Sequence, residues 1–298
     1  VLWQNHSPQQ IYLVSLLTHV LGEGPAAMAT ELVPDMDYFR GSFGAKHVIP
    51  LWRNANATLP NIATGLVDVL STGLGVKISH EDLFAYSYAL LSTPAYVSQF
   101  SDELEIPGPR IPVTKGSSLF VETVELGRRL IWLHTFGDRF GPRGNQVRGI
   151  PQGIARCTRA VPADPENYPD AFSYDASSHR LLVGEGVFDP VSIEVYEFSI
   201  SGFRVVHSWL SSRMKSGAGK KSSPLDDIRP DRWTADFTEE LLHLLWILEA
   251  TIALYPQLER NLTEVIEGEV FTATEFPQPF AADRKPPTAQ SPEQLTHE

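Results

Sequence analysis

The stretch from Phe237 to Tyr255 constrains this chain most, because it is the longest apolar run in the sequence and its spacing favours one face. Phe237, Leu241, Leu244, Leu248 and Ile252 recur at helical intervals, so a helix there presents a single buried stripe. The run also carries Glu239, Glu240, His243 and Glu249, whose charges would be costly at membrane depth. The expectation is a core helix of a globular protein, with no membrane span, stopped by Pro256. Glu239 and Glu240 open it, where negative charge suits the amino-terminal dipole; a catalytic carboxylate pair is the alternative.

A chain of 298 residues has room for one large domain or two ordinary ones, and a hydrophobic share of 42% is enough to build their cores. One cysteine, Cys157, excludes an intramolecular disulfide and a thiolate metal cluster, which fits a reducing cytoplasm. No signal peptide is visible, and the first residue is Val1, so the chain is expected to be a piece of a longer one.

Residues 1–59 mix short apolar runs with Gly and Pro and predict short strands joined by loops. Helices are predicted over Pro60–Leu70, from Ser79 and from Ser117. At Ser79, Ser-His-Glu-Asp makes a capping-box-like start. Pro94 interrupts the second helix, and Pro107, Pro109 and Pro112 define an extended linker over Ile106–Val113. Gly137 to Gly153 reads as a mobile loop. Beyond Val161, Arg180–Val183 and Ile193–Ile200 read as strands, and Gly202 starts a short helix with Phe203, Val206, Trp209 and Leu210 in register. The fold class is therefore mixed α/β (α+β) in two lobes, 1–160 and 161–276, with a disordered tail over 277–298.

Catalytic signatures are missing. Gly217-Ala218-Gly219-Lys220-Lys221-Ser222 fails as a phosphate loop because Met214 stands where the first glycine belongs. The chain has no Gly-x-Ser-x-Gly elbow, no His-Glu-x-x-His and no Glu-x-Lys of the common metal nucleases. It also lacks the Asn/Asp-Pro-Pro-Tyr/Phe with which adenine methyltransferases hold a flipped base. A formal charge of −12 argues against nucleic acid at first sight, but the charge is unevenly placed. Residues 101–160 carry 9 basic and 6 acidic groups, and 201–235 carry 7 and 3, whereas 161–200 carry 1 and 8.

Several strings, in order, resemble one known family. Ala85-Tyr86-Ser87-Tyr88-Ala89-Leu90-Leu91-Ser92-Thr93-Pro94-Ala95-Tyr96 leads into Pro109-Arg110-Ile111-Pro112. Upstream stand Val33-Pro34-Asp35, Phe39-Arg40-Gly41-Ser42-Phe43-Gly44 and Ile49-Pro50-Leu51-Trp52-Arg53. Downstream come Tyr174-Asp175, Val195 to Phe203, Trp209 to Arg213 and Gly219 to Pro230. Over roughly residues 30–270 this is similar to the carboxy-terminal specificity domain of Type ISP restriction-modification enzymes. These single-chain bacterial proteins combine nuclease, translocase, methyltransferase and target-recognition parts. The resemblance implies a two-lobed target-recognition module in the bacterial cytoplasm, with no catalytic centre of its own. It implies double-stranded DNA as partner, together with the methyltransferase and translocase domains of the parent chain. It also implies that S-adenosylmethionine, ATP and Mg serve only those parent domains.

Two loops are the candidate DNA contacts. In the first, Arg213, Lys215, Lys220 and Lys221 supply charge and Ser222 and Ser223 can hydrogen-bond phosphate, with Arg229 extending the patch. Composition alone favours a solvated basic loop, and the family resemblance is what turns the reading toward DNA. In the second, Arg139, Arg143, Asn145, Gln146 and Arg148 have the side chains that read guanine and adenine edges; an ordinary connector is the alternative. Arg156 and Arg159 are adjacent possibilities, and Arg40, Lys46 and Arg53 form a third, weaker group. Trp132, Trp209 and Trp246 read as core residues, not as base-stacking platforms. A rival reading makes the chain a scaffolding module that docks the methyltransferase or translocase domains.

Overall fold

The computed structural model describes residues 2–15, 22–34, 47–106, 108–141, 149–215, 230 and 232–285. The described residues form seven α-helices and three small antiparallel sheets, a mixed α/β fold. The chain clusters into two compact units: Val1–Arg148 with Tyr255–Glu298, and Gly149–Leu254.

In the first unit, β1 (Tyr12–Ser15) is the centre strand between β2 (Ala27–Thr30) and β3 (His47–Pro50). All four β1 residues are buried, as befits a strand covered on both faces. Helix α1 (Leu66–Leu74) starts later than the sequence suggests. Pro60 is held in a bridge with Trp52, and Gly65 at φ 83° takes the left-handed conformation at the helix entry, so the helix begins only after it.

Helix α2 (His80–Leu91) has the predicted capping box: Ser79 Oγ accepts from the Asp82 N–H and Asp82 Oδ2 from the Ser79 N–H, both at 3.1 Å. Pro94 sits in the first turn of α3 (Pro94–Gln99), where its missing N–H leaves no helix bond unmade. Helix α4 (Ser117–His134) crosses α2 so closely that a Cβ on Gly127 would lie 1.9 Å from the Ala85 carbonyl oxygen.

The tyrosines of α2 and α3 tie down the extended Pro-rich segment. The Tyr86 hydroxyl donates to Pro112 O (3.0 Å) and accepts from the Thr114 N–H (3.2 Å), while Tyr96 donates to Arg110 O (2.7 Å). The Tyr88 hydroxyl accepts from the Ala29 N–H (3.0 Å) and shares a 2.6 Å hydrogen bond with His134 Nδ1.

In the second unit, β4 (Arg156–Arg159), β5 (Phe172–Asp175), β6 (Arg180–Val183) and β7 (Gly186–Asp189) form a sheet in the order β4-β7-β6-β5. The strand expected over Ile193–Ile200 is instead a helical turn, α5 (Ile193–Tyr196), followed by the short β8 (Ser199–Ile200). Ser192 caps the turn, accepting from the Val195 N–H, and the Tyr196 ring stacks on Tyr174 with centroids 4.5 Å apart. Gly202 begins no helix. At φ 79°, beside Ser201 at 48°, it turns the hairpin from β8 to β9 (Phe203–Arg204), and α6 (Val205–Ser211) starts afterwards.

Helix α7 (Ala235–Glu267) passes through Pro256. An interior proline costs ~3 kcal/mol or more, yet beyond it Leu258, Leu262 and Val265 are buried and Asn261 Nδ2 donates to Thr123 Oγ1 on α4 (3.2 Å). That packing offsets the lost bond and carries the helix three further turns. By length and composition α7 is apolar enough to cross a membrane, but Leu241, Leu244, Leu245, Ile247 and Leu248 are buried in the protein.

From Tyr255, within α7, the chain again belongs to the first unit. Phe271 N–H donates to Val113 O (2.8 Å), and its ring fills the place a Cβ on Gly73 would need, 2.7 Å away. Lys115 Nζ pairs with Glu275 (2.7 Å), and Asp283 accepts from the Thr64 hydroxyl (3.0 Å).

Candidate nucleic-acid interface

Of the twelve residues singled out in the two loops, three lie within the described chain: Arg139, Arg213 and Lys215. Lys220, Lys221, Ser222, Ser223, Arg229, Arg143, Asn145, Gln146 and Arg148 lie outside the described residues, as do Arg40 and Lys46.

Arg213 follows α6 directly, and its guanidinium lies 3.7 Å from the Trp209 ring centroid and 5.3 Å from that of Phe237. Nη2 donates to Glu240 Oε2 at 3.0 Å and Nη1 to the Trp209 carbonyl at 3.2 Å, leaving the side chain 24% exposed. Stacking, ion pairing and a carbonyl bond together fix a planar cation far more firmly than a lone surface pair would. Glu240, read in the sequence as a dipole partner, is the carboxylate of this clamp. Trp209, Trp233 and Phe237 meet edge-to-face, and with Arg213 over its ring Trp209 is engaged within the protein. Tyr168 donates to the Arg213 carbonyl, and the Lys215 N–H donates to Pro169 O at 3.0 Å. Met214 between them is buried. The backbone is pinned up to Lys215, whose side chain is exposed.

Arg139 belongs to the first unit. It sits just beyond α4, in a turn where Phe136, Gly137 and Phe140 all have positive φ. Nε donates to Gln10 O at 3.2 Å and the backbone N–H to Thr135 Oγ1 at 3.1 Å. Its charge also lies near Glu31, whose pKa is raised mainly by burial, with Arg139 pulling the other way. Arg53 reaches the carbonyls of Ala282 (3.3 Å), Asp283 (3.4 Å) and Lys285, so it holds the returning C-terminal segment.

Arg156 and Arg159 stand on β4, the terminal strand of its sheet, and both are exposed. The segment before β4 is fastened to α7. Glu249 accepts from the Ile154 N–H (2.7 Å) and the Ala155 N–H (3.1 Å), and Trp246 Nε1 donates to Ala155 O (2.9 Å). Gly153 makes that approach possible, since a Cβ there would fall 1.9 Å from Glu249 Oε2. Sequence reasoning missed this fastening. Glu249 and Trp246 lie 94 and 91 positions from their partners, and nothing local to either one signals the pairing. Among the described residues, no group of three or more His, Cys, Asp or Glu side chains could hold a metal ion.

The arrangement of helices and small sheets is similar in fold to parts of larger solved structures. The cryoEM structure of the DrdV–DNA complex aligns with a TM-score of 0.58 at 20% identity, covering 88% of this chain and 25% of that one. The ATP-dependent Type ISP restriction-modification enzyme LlaBIII bound to DNA gives 0.58 at 17%, covering 88% and 16%. A nuclease-deletion mutant of the Type ISP enzyme LlaGI in complex with a DNA substrate mimic gives 0.56 at 16%, covering 91% and 19%. This chain thus spans between 16% and 25% of the length of these structures. No match was found among curated proteins. Residues 1–244 match the family model of the Type ISP C-terminal specificity domain, and the chain belongs to that family.

Proposed function

We propose that this chain selects the DNA sequence on which a longer bacterial Type ISP restriction-modification enzyme acts. The observation that carries the reading is the family match over residues 1–244, a specificity domain by its own description. The three matched structures, each bound to DNA or a DNA mimic, support it. In this reading methylation, translocation and cleavage, with S-adenosylmethionine, ATP and Mg, belong to the other parts of the parent enzyme, and this piece supplies no catalytic group.

The proposed phosphate contacts are Lys215, Lys220, Lys221, Ser222, Ser223 and Arg229. Arg143, Asn145, Gln146 and Arg148 are the proposed base readers. Arg213 and Arg139 enter as the posts that tie these two segments to the fold. The basic blocks at 101–160 and 201–235 suit a polyanion, and the acidic block at 161–200 disfavours indiscriminate binding.

The test is the methylome of cells carrying the parent enzyme with this region intact or exchanged for that of a relative. The methylated motif should change with the exchanged region. A motif that stays constant would overturn the specificity role and leave the domain as a scaffold for the methyltransferase or translocase.

A further inference from the structure

Strand β4 has a feature that ordinary alternation would not give. Arg156 and Arg159 are three positions apart, so in a regular strand they would face opposite sides of the sheet. Here the register shifts between Cys157 and Arg159: Arg156 pairs with Asp189, Cys157 with Phe188, and Arg159 with Val187. Asp189 and Val187 are two apart on β7 and so share a face. The bulge therefore brings both arginines onto one side, with Thr158 as the extra residue.

The charges there are not cancelled. Asp189, the carboxylate in register with Arg156, is occupied by the Thr158 hydroxyl (2.7 Å from Oδ2) and by Arg180 (Nε 3.7 Å). Arg156 Nη1 instead donates to the carbonyls of Gly153 (2.6 Å) and Ala155 (2.8 Å), with its guanidinium 5.9 Å from the Trp246 ring centroid. Those bonds engage Nη1, and among the described residues Nε and Nη2 have no partner. Among the described residues, Arg159 has no ion pair. Residues 149–160 contain two arginines and no Asp or Glu, although the forty residues that follow carry eight acids and one base. The outer edge of β4 also has no strand paired to it among the described residues. The strand is fixed from behind by Glu249 and Trp246 of α7.

A short strand with two cations on one face, at the end of a basic stretch of the sequence, is suited to an anion approaching from that side. We propose that the face of β4 bearing Arg156 and Arg159 grips the DNA backbone, each arginine contacting a phosphate. This rests on the DNA-recognition reading above and adds a contact surface outside the two loops. The contact sets register on the duplex and carries no sequence information.

The experiment uses the complete 298-residue chain and duplexes selected on it from a random-sequence pool, with binding followed by fluorescence anisotropy from about 50 to about 200 mM salt. Arg156→Gln with Arg159→Gln should weaken binding and make the slope of log affinity against log salt shallower by about two, since each phosphate contact carries about 0.9. The selected sequence should stay the same. Both side chains are at the surface, so an unchanged thermal melt is the folding control. Arg129→Gln, exposed on α4 of the other unit, should leave the slope where it is. An unchanged slope in the double variant, or an equal loss with Arg129→Gln, would overturn the β4 contact while the wild-type chain still bound DNA. A changed selected sequence at constant slope would overturn the backbone role in favour of base reading. A wild-type chain that bound no duplex would overturn the DNA-recognition reading itself, and the β4 contact with it.

Discussion

His134 ends α4 with its ring against Tyr88, and burial pushes its pKa down from 6.5 to about 4. The folded protein therefore keeps the ring neutral across a range in which an unfolded chain would protonate it. Between pH 6.5 and 4 the unfolded state binds more protons, so stability rises with pH there and is lost as pH falls through that window. The full shift corresponds to about 3 kcal/mol. His134→Gln keeps a group able to bond the Tyr88 hydroxyl but cannot titrate. It should lower the urea midpoint at pH 7 modestly and make stability flatter between pH 6.5 and 4. An equal acid slope in variant and wild type would show that His134 is not the titrating group. Arg213 makes a related point at the opposite charge. Its cation is spent on Trp209, Phe237 and Glu240, so a basic residue inside a basic run can be a structural post.

At the level of elements, the crossing of α2 and α4 depends on the absence of a side chain at Gly127. Gly127→Ala gains ~1 kcal/mol of helix propensity, but it drives a methyl into the Ala85 carbonyl, and overpacking of that kind costs ~1–3 kcal/mol and sometimes more. A net loss of stability is expected in urea titration; a gain would mean that the helices can separate without cost. The capped helices were readable in the sequence because their signals are local: Ser79 and Asp82 mark their own turn, and Ser117 begins α4 where predicted. Elements decided by distant packing were not. Pro256 reads as a stop, and only the burial of Leu258, Leu262 and Val265 shows why the helix continues. Val195, Glu197 and Ser199 alternate like a strand, yet Tyr174 draws Tyr196 into a helical turn. The tyrosine-rich string that carries the family resemblance proves structural in part, since Tyr86 and Tyr96 fasten the Pro-Arg-Ile-Pro segment. The candidate loops were chosen by residue type alone, and nine of their twelve residues lie outside the described ones. Arg156 and Arg159 were named as well, but their common face was not readable, because a bulge and a helix about ninety positions away set the geometry of β4.

Taken whole, the chain carries a net charge of −12 and is sparing with its cations, so where each one stands affects more than the nearest contact. A terminal strand exposes a row of unmatched amide and carbonyl groups that another copy of the same chain can pair with. Strand β4 has four residues, a bulge and two exposed arginines, three features that discourage such pairing. Whatever else Arg156 and Arg159 touch, exposed charges on a terminal strand are expected to oppose its pairing with another copy. Arg156→Val with Arg159→Val should therefore yield material that grows in light scattering on storage. The glutamine pair, equally uncharged but far less suited to a strand, should remain dispersed for longer. Equal behaviour of the two variants would remove strand pairing as the cause. The two arginines that β4 leaves exposed to solvent would thus also guard a terminal strand against polymerisation.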